Sequence, residues 1–155
     1  MTVHVRPQIH IGRPRGDVAA YMFDPRNDLE WTGGITASRP AQPGPLVTGA
    51  SVERTARFLG RTFTYRYLVT AHEPDELVEL KVDRPFPMLV RYELADADGP
   101  EPATIAAIRA NGAPGRFFGW ATPLLRRQVR RSISADLERL RARLEADGPN
   151  PRAEP

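Results

Sequence analysis

The residues best able to move a proton near neutral pH are few: three histidines, His4, His10 and His72, and no cysteine. His4 and His10 share the parity of Arg6 and Gln8, while Val3, Val5, Ile9 and Ile11 take the other parity, so a strand here turns both histidines to solvent. His72 falls in a strand-ending turn beside Glu73-Pro74. None of the three is spaced with another histidine or with carboxylates as metal ligands are, so no metal is expected. The lack of cysteine excludes disulfide and thiolate-zinc frameworks. Glycine-rich phosphate loops, nucleophile elbows and paired-acid motifs are also missing. Gly112-Ala113-Pro114-Gly115 lacks the lysine and hydroxyl of a nucleotide site and reads as a connector or a gate. Catalytic residues stay unassigned, and no cofactor is expected.

Among the carboxylates, Asp28 and Glu30 flank Trp31, while Glu79, Asp83 and Glu93 fall on strand segments. Glu79 is opposite in parity to Val78 and Leu80, and Glu93 to Tyr92 and Leu94, so solvated faces account for this set. The strand arginines Arg54, Arg66, Arg91 and Arg109 are less simply placed, because Arg54 shares parity with Val52, Ala56 and Phe58, and Arg109 with Ile105. One of them turned inward can bind an anionic head group such as a carboxylate. A bulge that reverses the parity is the alternative.

Phe63, Tyr65, Tyr67, Met88, Val90 and Tyr92 fall on inward strand faces. They are suited to a ligand cavity with hydrophobic walls and a few polar handles, or else they fill a core. Trp31 and the run Phe117-Phe118-Gly119-Trp120 fall where helix and sheet ends meet, as a pocket mouth or a hydrophobic plug. Toward the C-terminus, Gln128 and Ser132 lie on one flank of the stripe Leu125, Val129, Ile133 at 100° per residue. They can orient a ligand carbonyl or hydroxyl, or be satisfied by water.

These residues need elements to hold them. Proline and glycine, 16 and 12 residues, fall in clusters at Gly33-Gly34, 40–44, Gly60, Pro74-Asp75, 85–87, 98–102 and 111–115, with strand-length segments between them. Alternation in 3–11, 62–69, 77–82 and 88–94, and more weakly in 104–110, predicts an antiparallel meander of six or seven strands. Two stretches break that period. Residues 16–23 carry a cap-capable Asp17 with Val18, Tyr21 and Met22 at helical spacing, and a second helical turn is expected through 26–31. A long helix is expected from near Thr122-Pro123 to Asp147, stopped by Gly148-Pro149; at about 1.5 Å per residue it crosses a whole sheet. An earlier start at Phe117 or Phe118, with Pro123 as a kink, is left open.

In this order, the opening strand ending in Pro14 and Val18, the turn Asp24-Pro25-Arg26-Asn27 before Trp31, the hairpin Phe58-Leu59-Gly60-Arg61, the turn Pro85-Phe86-Pro87-Met88 before Tyr92 and the amphipathic last helix form a pattern. With it the chain resembles the START-like or SRPBCC superfamily, in its polyketide cyclase/dehydrase and lipid-transport branch, from Val3 to about Ala146. The resemblance implies an α+β helix-grip fold: a curved antiparallel sheet wrapped around the long helix, two short helices after the first strand, and a cavity for an apolar ligand. It implies no one reaction, since carriers, cyclases and other activities share that scaffold.

A chain of 155 residues with 41% hydrophobic and 26% charged residues is expected to be one domain over 1–147 with a disordered tail at 148–155. No run approaches the roughly 18 apolar residues of a membrane span, and the N-terminus lacks the order of a secretory signal, so a cytoplasmic protein is expected. Net charge is +3, yet residues 116–131 hold five arginines and no acid, which leaves the rest of the chain at 3 − 5 = −2. Arg126, Arg127, Arg130 and Arg131 form a basic patch outside the groove, for solubility or for an anionic membrane surface or acidic protein. No base-reading side chains interleave with it, so nucleic acid is not expected.

The function expected is binding or carrying of a small apolar molecule (lipid, isoprenoid or polyketide-like). Its contacts would be Trp31, Arg54, Phe63, Tyr65, Tyr67, Met88, Tyr92, Phe118, Trp120, Gln128 and Ser132. A metal-free polyketide aromatase/cyclase or dehydratase is one alternative, and an interaction module using the arginine patch is another. Monomer and homodimer are both left open.

Overall fold

A computed structural model describes residues 2–146; the expected tail and its Gly148-Pro149 stop lie outside the described residues. The first predicted strand comes in two pieces, β1 (Val3–Val5) and β2 (Gln8–Ile11), because Pro7 between them has no N–H for the ladder. Both pieces pair antiparallel with β8 (Thr104–Gly112), so they fill one lane of the sheet. The other strands are β3 (Ile35–Pro40), β4 (Ser51–Phe58), β5 (Arg61–Glu73), β6 (Leu77–Val82) and β7 (Met88–Asp96). They run as a meander in the order β1-β8-β7-β6-β5-β4-β3, seven lanes in all. Leu59 and Gly60 turn β4 into β5 with φ of 51° and 78°, the paired positive φ of a two-residue I′ turn.

Between β2 and β3 the chain makes α1 (Arg15–Met22), a 3₁₀ turn (Pro25–Asn27) and α2 (Asp28–Trp31), the two short helical pieces that the spacing predicts. α1 starts directly after Pro14 and buries Val18, Ala19 and Met22. Asp24 caps the 3₁₀ turn, accepting from the Arg26 N–H at 3.0 Å and from its guanidinium at 2.6 Å. That charge-assisted fork holds the Asp24 pKa below the usual carboxylate value.

After β8 comes a single turn, α3 (Gly115–Phe118), closed by Gly119 at φ 69°, and then α4 (Thr122–Ala146). The long helix therefore begins at Thr122, with Pro123 in its first turn where a missing N–H costs nothing. It packs against β1, β2, α1 and α2. The result is the α+β helix-grip arrangement, an antiparallel sheet with a long C-terminal helix and short helices after the first strand. Among the described residues no helix is long and apolar enough to cross a membrane.

The core is in two parts, and this sets the stage for a site. Leu137, Leu140 and Leu144 of α4 pack with Val52, Tyr67, Val78, Leu80 and Tyr92. Leu125 packs separately with Val3, Val5 and Ala110. The three turns of α4 between Leu125 and Leu137 face the space that divides them.

Candidate functional site

That space is a cavity of about 210 Å³, walled by Val129, Ser132, Ile133 and Asp136 of α4 and by the inner faces of β3, β4, β5, β7 and β8. Its lining grades along β4 and β5. Near the β4–β5 turn it is aromatic: Phe58, Phe63, Phe86 and Phe118, with Phe118 edge-on to Phe58 at 5.3 Å and to Phe63 at 5.8 Å. Further along the same strands it becomes polar, with Arg54, Tyr65, Tyr92, Trp31 and Thr32.

Alternation on β4 drives Val52, Arg54 and Ala56 inward, and the register sets Ser38, Arg54 and Tyr65 side by side across β3, β4 and β5. An arginine on a core face needs a counter-charge. Asp28, the first residue of α2, supplies it: Arg54 donates to Asp28 Oδ2 through Nε at 3.0 Å, and its Nη2 lies 2.9 Å from the same oxygen. Ser38 Oγ donates to that oxygen at 2.7 Å. Arg54 also reaches the Tyr92 hydroxyl at 3.4 Å and lies over the Tyr67 ring at 4.8 Å. Burial penalises its cation, but Tyr92, Tyr67 and Asp28 more than offset this, holding its pKa well above the ordinary value. Burial likewise pushes the phenols of Tyr67 and Tyr92 up, so both stay neutral.

Asp28 is thus not on a solvated face as expected; it is 2% exposed and spent on Arg54. Of the other strand arginines, Arg66 is exposed and Arg91 and Arg109 lie on the outer face with Glu79 and Glu93. Ile105 shares that outer face, so its parity with Arg109 points out of the groove and not into it.

Two polar groups complete the site. Asp136 Oδ1 accepts from the Gly33 N–H at 2.9 Å and from Arg139 at 2.8 Å, tying α4 to the loop after α2. Burial raises its pKa, partly countered by those two donors. Trp31 is 1% exposed, its ring meets Tyr92 edge-on at 5.8 Å, and among the described residues its indole Nε1 has no hydrogen-bond partner.

The structure brings Trp31, Arg54, Phe63, Tyr65, Met88, Tyr92, Phe118 and Ser132 onto this one cavity. Tyr67, Trp120 and Gln128 are not in its wall. Tyr67 is buried behind Arg54, Gln128 is half-buried on α4, and Trp120 is 40% exposed past the α3 turn. Arg126, Arg127, Arg130 and Arg131 are all exposed. Sequence reasoning passed over Thr32, Phe58, Phe86 and Asp136. For Asp136 a signal existed, since it stands four residues after Ser132 on the same flank of the helix.

The family model described as "Polyketide cyclase / dehydrase and lipid transport" matches residues 2–145. No curated protein matches the chain. Among solved structures, a START superfamily protein from Mycobacterium smegmatis is 11% identical with a TM-score of 0.74, covering 92% of this chain and 97% of its own. TTHA0849 from Thermus thermophilus is 10% identical with a TM-score of 0.72, covering 94% and 99%. StfQ, described as a di-domain ARO/CYC from the steffimycin biosynthetic pathway, is 12% identical with a TM-score of 0.74, covering 94% of this chain and 52% of its own. At these identities the likeness is one of fold.

Proposed function

The chain belongs to the polyketide cyclase/dehydrase and lipid transport family, and from that membership we propose that it binds and carries a small, neutral, largely apolar molecule bearing one hydrogen-bond acceptor. The observation that carries this reading is the Trp31 indole N–H, a donor buried without a partner among the described residues, on a residue that lines the polar end of a cavity whose other end is aromatic. Such a donor costs about 1–3 kcal/mol until an acceptor reaches it. Size narrows the class: an engineered cavity of about 150 Å³ takes benzene, so about 210 Å³ suits a bicyclic or short-chain molecule. Charge narrows it further, because Arg54 is already neutralised by Asp28, and a ligand carboxylate would meet Asp136 as well.

Three probes of one shape test this by tryptophan fluorescence: 2-acetonaphthone, 2-ethylnaphthalene and 2-naphthoate. The ketone is expected to bind most tightly, the hydrocarbon next and the anion least. Trp31→Phe, followed by displacement of a fluorescent competitor, is expected to weaken the ketone about two- to tenfold and leave the hydrocarbon nearly unchanged. Lack of saturable binding by all three would sink the proposal.

Asp136 favours a second reading. A cavity carboxyl with a raised pKa can take a proton from a carbon beside a carbonyl. Turnover of a β-keto thioester mimic, lost in Asp136→Asn, would replace the carrier with a cyclase or dehydratase.

A further inference from the structure

No aspartate or glutamate occurs between Glu101 and Asp136, and within that span Arg116, Arg126, Arg127, Arg130 and Arg131 are all exposed. Elsewhere Arg6, Arg13, Arg15, Arg39, Arg91 and Arg139 each reach a carboxylate. Among the described residues these five arginines take part in no ion pair. Their position is also unfavourable for the helix itself. The N-terminal end of α4 carries partial positive charge, which acids stabilise and arginines oppose, and its first turn contains no acid. Both the missing partners and the misplaced charge are relieved by an anionic surface outside the molecule.

Beside the arginines stand two large apolar side chains in solvent, Trp120 at 40% exposure and Leu124 at 54%. At 100° per residue, Leu124, Arg127 and Arg131 follow one another at i, i+3 and i+7 along the outer side of α4, with Arg126 and Arg130 alongside at i, i+4. The surface is therefore the outer side of the first turns of α4, basic over residues 126–131, with Leu124 and the preceding Trp120 apolar at its leading corner. That composition fits the boundary of a bilayer: tryptophan settles at headgroup depth, leucine enters the acyl region, and arginine stems run along apolar surface while their heads stay with phosphate.

We infer that the α3–α4 corner docks this protein on a bilayer containing anionic phospholipid. An acidic protein offers the charge but gives no reason for Trp120 and Leu124 to stand exposed together. The docked corner adjoins the cavity, since Phe118 lies in its wall and only Gly119, at φ 69°, separates Phe118 from Trp120. Docking itself goes beyond the cavity reading and survives its failure, because every group it uses lies outside the cavity.

Flotation of the intact protein with vesicles tests it, using phosphatidylcholine alone and phosphatidylcholine mixed with phosphatidylglycerol. Partition is expected only with the mixture and is expected to collapse near 1 M salt, where the screening length falls to about 3 Å. Each arginine near such a surface contributes about fivefold in partition, so a variant with Arg126, Arg127, Arg130 and Arg131 all changed to Ser is expected to lose two to three orders of magnitude. All four side chains are exposed, and an unchanged thermal melt confirms that this variant folds. In a Trp31→Phe background the emission of Trp120 is expected to shift blue on the mixed vesicles, and Trp120→Ser with Leu124→Ser to weaken binding. Equal partition on both vesicle types, partition indifferent to the four arginines, or an unshifted Trp120 overturns the proposal. So does arginine-dependent capture of an acidic protein without partition into the mixed vesicles, which would give the surface to a protein partner.

Discussion

Arg54 and Asp28 explain each other, and the pair shows how far a single residue can be read. Arg54 is inward for a reason visible in the sequence, the alternation Val52, Arg54, Ala56 on β4. Its partner was not legible, because Asp28 lies 26 positions earlier on a one-turn helix whose docking against the sheet is a tertiary event. A buried pair of this kind is costly to break and cheap to replace. Arg54→Met alone leaves the Asp28 carboxylate with only Ser38 Oγ on that oxygen and is expected to lower stability by about 3–5 kcal/mol. Arg54→Met combined with Asp28→Leu is expected to recover most of that loss. Urea unfolding of the two singles and the double checks this, and strict additivity would show that the two side chains do not act as a pair.

At the scale of elements, α4 was the most legible part of the fold and the least legible part of the site. Its stripe Leu125, Val129, Ile133, Leu137 steps evenly, which tells which side of the helix turns inward but not what stands opposite. Only the structure shows that its outer members are fully buried in packed core while Val129 and Ile133, packed at the edges of that core, also line the cavity. The strand lanes were legible from turn spacing, but alternation runs through Pro7 and predicts the first lane as one strand, where the structure has two pieces. The latch between α4 and the α2–β3 loop was not, because it joins Asp136 to a backbone N–H, which leaves no residue type to recognise at Gly33. This latch has a pH signature. Burial raises the Asp136 pKa above its unfolded value, so the folded protein holds that proton more tightly than the unfolded chain. Its stabilising effect is complete below the unfolded pKa and is lost as pH rises through the folded pKa. Asparagine keeps an acceptor for the Gly33 N–H and removes the buried charge. Asp136→Asn is therefore expected to melt above the parent near pH 7, with the advantage shrinking toward about pH 3; thermal melts across that range check it. A variant that melts lower at neutral pH would mean that the exposed-side pairing with Arg139 outweighs burial.

For the whole molecule, the question is whether the divided core is a defect or a design. Natural sequences of this size can fill a core to organic-crystal density, and an unfilled space of about 210 Å³ forgoes packing that small changes would supply. Ala110 of β8 stands in the cavity wall with its Cα opposite Val90 of β7 and Val5 of β1. Ala110→Ile adds three carbons in a strand that tolerates β-branching, and burying them is worth up to about 2 kcal/mol at roughly 0.8 kcal/mol per carbon. The variant is expected to melt a few degrees higher and to bind 2-acetonaphthone at least tenfold more weakly, the trade between stability and function that a binding site imposes. The two readouts separate the possibilities. Higher stability with binding lost means that the space is kept open for an occupant. Lower stability means that the walls are already closed against each other at Ala110, and the ligand would then have to be sought on the polar side, near Trp31 and Asp136. Vesicle partition through the α3–α4 corner should be the same in this variant as in the parent, since its arginines, Trp120 and Leu124 lie outside the cavity wall.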